Sequence, residues 1–169
     1  MSRLDWKRGA FNAGSETERI FAGMEGWRDV YGDWIFYYRF NPLLSVIDDV
    51  YDEAAGVGRV YNGPIRVPAI HVVHIQGANE YGDMGFYYND ELTATVSFDQ
   101  LSAVGLTYAD VTAGQYLKDR ILYNDQVYRI VQISSRGKIQ ERSVIVEITC
   151  SQLQPDELVD DGQFKQWSA

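Results

Sequence analysis

Residues 119–150 read DRILYNDQVYRIVQISSRGKIQERSVIVEITC. Asp119 to Tyr123 is a short apolar run, and Asn124-Asp125 is a pair that tolerates the left-handed backbone of a tight hairpin turn. The run 126–134 (QVYRIVQIS) predicts the return strand, residues 135–138 (SRGK) predict a second turn, and 139–150 predicts a third strand. In that last strand Val144, Val146 and Ile148 alternate with Ile145, Glu147 and Thr149, the period of a sheet. Three strands in such quick succession leave room only for tight antiparallel connections.

Working outward, residues 92–98 (LTATVSF) alternate cleanly, with Leu92, Ala94, Val96 and Phe98 on one side and Thr93, Thr95 and Ser97 on the other. Residues 65–75 (IRVPAIHVVHI) are strand-like, and Pro68 places an edge or a bulge there because it cannot donate to a ladder. Asp33–Phe40 (DWIFYYRF) predicts a buried strand. It is broken by Asn41-Pro42, with Leu43, Leu44, Val46 and Ile47 giving the following turn an apolar side. Residues 98–105 and 107–114 read as short helical turns or loops. Ser15 and Glu18 have the spacing of a capping box, which predicts a helix over 15–24 with Ile20, Phe21 and Met24 on one side and Gly26 as its stop. The sum is a mainly β chain, a small closed or nearly closed β-barrel with a short N-terminal helix, a long hairpin-like loop and extended termini. Residues 1–32 form the arm and helix, 33–153 the barrel domain and 154–169 an acidic C-terminal tail. A length of 169 residues suits one core with extensions.

Composition narrows the function. Fifteen Lys and Arg against 24 Asp and Glu give a net charge of −9, which disfavours a basic nucleic-acid binder and an anionic membrane surface. The single cysteine, Cys150, excludes an intramolecular disulfide framework and a multi-cysteine zinc site. No apolar leader or membrane-spanning run is visible. Twelve tyrosines, seven phenylalanines and four tryptophans suit sheet surfaces and interfaces.

Catalytic signatures are weak. His71 and His74, three apart on a strand, point to opposite faces and cannot chelate one metal together. They read as one histidine at the core edge and one at the surface. Cys150 has no base nearby in sequence and reads as an inert buried thiol. Gly56, Gly58 and Arg59 lack the spacing of a phosphate loop. Asp48, Asp49, Asp52 and Glu53 lack the ligand pattern of a calcium loop and read as a solvated acidic face. The expectation is a non-enzymatic chain without metal or cofactor.

Two segments ask for a partner. Residues 76–91 exceed the usual connection length and carry Tyr81, Met84, Phe86, Tyr87 and Tyr88. Such a loop suits partner contact, or forms a long hairpin whose aromatics pack on the barrel. Residues 1–14 carry Trp6 and Phe11, which either fold back on the chain's own core or dock on a neighbouring subunit.

The run Tyr116 to Tyr123, then Val127-Tyr128-Arg129-Ile130, the turn at Gly137, Val144 to Thr149 and Gln154-Pro155-Asp156-Glu157-Leu158 resembles the neck proteins of tailed bacteriophages. The class is that of the head-to-tail stoppers or head-completion proteins, whose small barrel carries a D-R-I-x-Y … Y-R-I … G pattern. Val67-Pro68-Ala69-Ile70-His71-Val72, Gly85-Phe86-Tyr87-Tyr88 and Phe98-Asp99-Gln100-Leu101 resemble the versions in actinobacterial phages. The resemblance covers roughly residues 30–158. It implies a virion protein, made in the host cytoplasm, that forms a six-fold ring of its own copies between a portal-side adaptor and a tail terminator or tail-tube protein. Genomic DNA would pass through the ring without sequence-specific binding. Asp48, Asp49, Asp52 and Glu53 become candidates for an acidic lumen, the aromatic loop for a partner or lumen contact, and Trp6 and Phe11 for an inter-subunit arm. The alternatives are a tail terminator or portal adaptor, then a ligand-binding barrel or hydrolase using the acidic cluster.

Overall fold

The computed structural model describes residues 13–46, 58–77, 80–82, 85–87, 90–139, 142–154, 157–158, 161–164 and 166. The chain order is α1 (Ala13–Tyr31), β1 (Asp33–Phe40), β2 (Tyr61–Ile75), β3 (Glu80–Gly82), β4 (Gly85–Tyr87), β5 (Glu91–Ser97), α2 (Phe98–Ala103), α3 (Tyr108–Thr112), β6 (Arg120–Tyr123), β7 (Gln126–Ile139) and β8 (Arg142–Gln152). Six strands close into an antiparallel barrel in the order β1-β2-β5-β8-β7-β6, with β6 returning to β1; β3 and β4 form a separate two-stranded hairpin.

The alternation foreseen in β5 holds: Leu92, Ala94 and Val96 are fully buried. They meet Ile148 and Cys150 of β8 and Ile130 and Ile133 of β7 in one core. Asn124 and Asp125 both take positive φ, 48° and 61°, as a type I′ hairpin turn requires. The second expected turn is displaced. Residues 135–138 remain in β7, paired with β8 down to Ile139 opposite Arg142. The ladder absorbs the mismatch through register shifts at Ser135/Gly137 and Gly137/Lys138, so Gly137 marks a bulge and not a chain reversal.

Three other expectations are corrected. Helix α1 runs from Ala13 to Tyr31, so Ser15 and Glu18 lie inside it and Gly26 does not stop it. A Cβ at Gly26 would meet nothing within 4 Å, and an exposed glycine costs a helix only about 1 kcal/mol. The stop is Gly32, where a Cβ would meet the carbonyl oxygens of Arg28 at 2.5 Å and Ala69 at 2.7 Å. Strand β2 starts at Tyr61, and its register shift at Ala69/His71 lies beside Pro68, where β2 passes from β1 to β5. Strand β1 is buried unevenly: Ile35 and Tyr37 face the core and Tyr38 is buried on the outer side, while Trp34 and Phe36 are exposed.

Leu101, Val104 and Leu106, from α2 and the turn after it, and Tyr116 complete this core. Gly105 ends α2 with φ +90°, and a Cβ there would meet the Arg39 guanidinium at 2.6 Å. Arg39 donates to the Gly105 carbonyl. Among the described residues after β8 none lies in a strand, yet Leu153, Leu158 and Phe164 are buried against Tyr38, Tyr61, Leu122 and Val127 on the outside of the barrel. Phe164 meets the rings of Tyr38 and Tyr61 edge-on at 4.9 and 5.2 Å, a favoured aromatic geometry.

Candidate functional site

The D-R-I-x-Y residues form the seam where β6 closes the barrel on β1. Asp119 is buried and accepts hydrogen bonds from the Tyr37 hydroxyl at 2.5 Å and the Phe40 amide at 2.8 Å. Burial pushes the Asp119 carboxyl above the usual range, against the pull of those two donors, Arg39 and Arg120. Burial and the adjacent carboxylate raise Tyr37 as well, so the phenol keeps its proton and donates it to Asp119. Arg120, also buried, donates to the carbonyls of Lys118 and Asp119 and lies 5.8 Å from the Tyr61 ring centre. Ile121 enters the core, and the Tyr123 hydroxyl donates to Asp33 at 2.6 Å. The motif therefore serves architecture: each member ties β6 to β1, to the core or to the outer aromatic layer.

The long loop is carried on a latch at its neck. Asp90, buried just before β5, accepts the Gly77 amide at 2.7 Å on the chain leaving β2. Its other oxygen lies 3.0 Å from His74 Nε2. The Gln152 amide donates to the Asp90 carbonyl, and His74 packs edge-on to Tyr128. Thus Asp90 joins both roots of the loop to the barrel. Between them β3 and β4 pair in register, Glu80 with Tyr87 and Gly82 with Gly85. Tyr81, Phe86 and Tyr87 lie in that hairpin; Met84 and Tyr88 fall outside the described residues.

His71 and His74 share no metal-binding arrangement. His71 is exposed, and His74 is half-buried on Asp90. Among the described residues, no group of three His, Cys, Asp or Glu side chains could hold a metal ion. Cys150 is buried, and burial pushes its thiol upward, the opposite of an activated nucleophile. Trp6, Phe11, Asp48, Asp49, Asp52, Glu53 and Gly56 lie outside the described residues. No described helix is long and apolar enough to cross a membrane.

Two features were not singled out in the sequence. Asp90 stands at the end of a glycine-bearing loop, next to Glu91 at the start of a clean strand; that position was the available signal. The other is a cleft between α1, β2 and α2, lined by Phe21, Met24, Glu25, Pro68, Ile70 and Asp99. Phe21 and Met24 were legible as one helix side, but their opposite wall comes from residues about 45 and 75 positions away, which no local pattern links.

No protein-family model and no curated protein matches this chain. Among solved structures, it is similar to a chain of the virion of a native gene transfer agent (GTA) particle. The TM-score is 0.47 at 11% identity, over 72% of this chain and 94% of that one.

Proposed function

We propose that this chain is a non-enzymatic structural subunit of a phage neck: a head-to-tail stopper that assembles as a six-fold ring, closes the DNA-filled capsid and joins it to the tail. The observation that carries the reading is the division of labour in the fold. The residues of the stopper-like pattern build a closed barrel, and a separate two-stranded hairpin is rooted on it at the Asp90 latch. A closed barrel has its ladder satisfied around the girdle, so contacts with other chains fall to appended segments. A ring needs two different complementary surfaces on each copy, and the hairpin and the N-terminal arm supply candidates for both.

The partners in this reading are further copies of the chain, a portal-side adaptor, a tail terminator or tail-tube protein, and genomic DNA in the lumen. A net charge of −9 per copy suits a conduit whose wall repels phosphate. An adaptor dominated by helices fits this six-stranded barrel poorly.

Deleting residues 80–88 tests the proposal. The expected outcome is an unchanged far-ultraviolet spectrum and unfolding transition for the barrel, with heads that lose their DNA or fail to join tails. Normal particle yield and DNA content from the deletion mutant would refute the loop's part in assembly. Cross-linking to portal-side or to tail-tube proteins separates the stopper from a terminator.

A further inference from the structure

The cleft beside α1 is lined by Phe21, Met24 and Glu25 of α1, Pro68 and Ile70 of β2, and Asp99 of α2, apolar side chains with two carboxylates among them. The cleft is open to solvent and its enclosed space is small, about 30 Å³, so a large side chain would lie across it and not enter it whole. Its one lining cation, Arg28, is held by Asp29 at 3.0 Å. An apolar ring flanked by positive charge would complement that lining.

The chain itself carries such a ligand. Residues 1–12 read MSRLDWKRGAFN, with Arg3, Lys7 and Arg8 against Asp5 alone. They are basic on a chain whose total charge is −9, and Trp6 directly precedes Lys7-Arg8. We propose that the cleft receives the N-terminal arm of a neighbouring copy, with Trp6 between Met24 and Ile70 and Lys7 against Glu25. The proposal rests on the ring reading and names the contact that would link its subunits.

Geometry favours a neighbour over the chain's own arm. The arm leaves α1 at its N-terminal end, while Glu25 and Arg28 lie roughly 18–22 Å further along the helix at 1.5 Å per residue. A return in cis needs a reversal at once and an antiparallel run down the helix. A neighbour's arm needs neither. It also makes the contact heterologous, arm to cleft, which is the type that propagates around a closed ring.

The test uses the full chain with Trp6→Cys and Met24→Cys under mild oxidation. The native thiol, Cys150, is buried and does not compete. The expected result is a ladder of cross-linked species ending at the copy number of the ring. A cross-linked monomer would show that the arm folds back in cis, and no cross-link would show that the cleft is not its receptor; either overturns the proposal.

A second measurement does not depend on those cysteine replacements. Copies assembled with Lys7→Glu, or with Glu25→Lys, should associate about two- to five-fold more weakly, the range of an exposed ion pair. Combining the two should restore association, and failure of that rescue overturns the pairing. Rings seen in particles without the ladder would remove this contact and leave the ring standing. A ladder from a chain never found in particles would do the reverse.

Discussion

At the scale of residues, Asp119 combines a buried carboxylate with two donors from β1. Asp119→Ala leaves the Phe40 amide and Tyr37 hydroxyl buried without an acceptor, so it should lower unfolding stability by roughly 2–4 kcal/mol in urea titration. Asp119→Asn can still accept from Phe40 and should cost less. The two replacements also separate charge from hydrogen bonding. Burial raises the Asp119 carboxyl, so folding binds its proton more tightly than the unfolded chain does. The stability from this difference is full below the ordinary aspartate range and is lost as pH rises through the raised folded value. Asp119→Asn has no such proton to lose. Its stability relative to wild type should therefore improve as pH rises across that interval, and a pH-independent difference would show that the carboxyl is not raised. Asp90 makes a different prediction. Asp90→Ala strips the acceptor from Gly77 and frees His74. Amide exchange at residues 77–87 should quicken by about 1–2 kcal/mol of local opening while the barrel amides keep their protection.

At the scale of elements, the segment after β8 packs as part of the folded body. Its acidic composition suggested a tail, with Asp156, Glu157, Asp160 and Asp161 against Lys165 alone. Yet Leu158 and Phe164 are buried on the barrel's outer wall, the Gln163 side chain accepts from the Tyr61 amide at 2.7 Å and donates to the Tyr61 carbonyl, and Asp161 accepts from the Tyr61 hydroxyl. Phe164→Ala should therefore destabilise the protein by about 3–5 kcal/mol, the cost of emptying a fully buried aromatic site; a shift below about 1 kcal/mol would show that the segment is not integral. The signal was too sparse to find in advance, because its few apolar residues, Leu158, Val159, Phe164 and Trp167, keep neither a strand nor a helix period. The hairpin β3–β4 had the opposite history. Its length and aromatic content marked the loop, but the loop's anchor is a contact between His74, Gly77 and Asp90, which become neighbours only when β2 and β5 pair.

At the scale of the whole molecule, charge decides behaviour toward DNA. At −9 per chain, the protein should show no retardation of duplex DNA even near 50 mM salt, where phosphate contacts are strongest. Binding that weakens with added salt would point to a basic face and against a repelling conduit. Exposed large apolar residues occur on α1 (Ile20, Trp27, Val30), β1 (Trp34, Phe36) and the turn after it (Leu43, Leu44, Val46), and also on β2 (Val73, Ile75) and β7 (Val131) and at Tyr108 and Leu117. Trp34 is covered in part by the Arg66 guanidinium at 3.4 Å from its ring centre.

The barrel itself was legible without coordinates, because strand alternation, turn pairs such as Asn124-Asp125 and breakers such as Pro68 act over a few residues and leave local patterns. The helix ran past its expected stop because Gly26 sits in open space, whereas Gly32 is pressed against Ala69 of β2, a neighbour distant in sequence. The D-R-I-x-Y run could be read as a pattern, but its purpose emerged only when Asp119 met Tyr37 across the seam. Local periodicity determined the elements and the class of fold. The seam, the latch at Asp90, the covered outer wall and the cleft beside α1 depended on long-range closure, since their energies arise between side chains that only the closed barrel brings together.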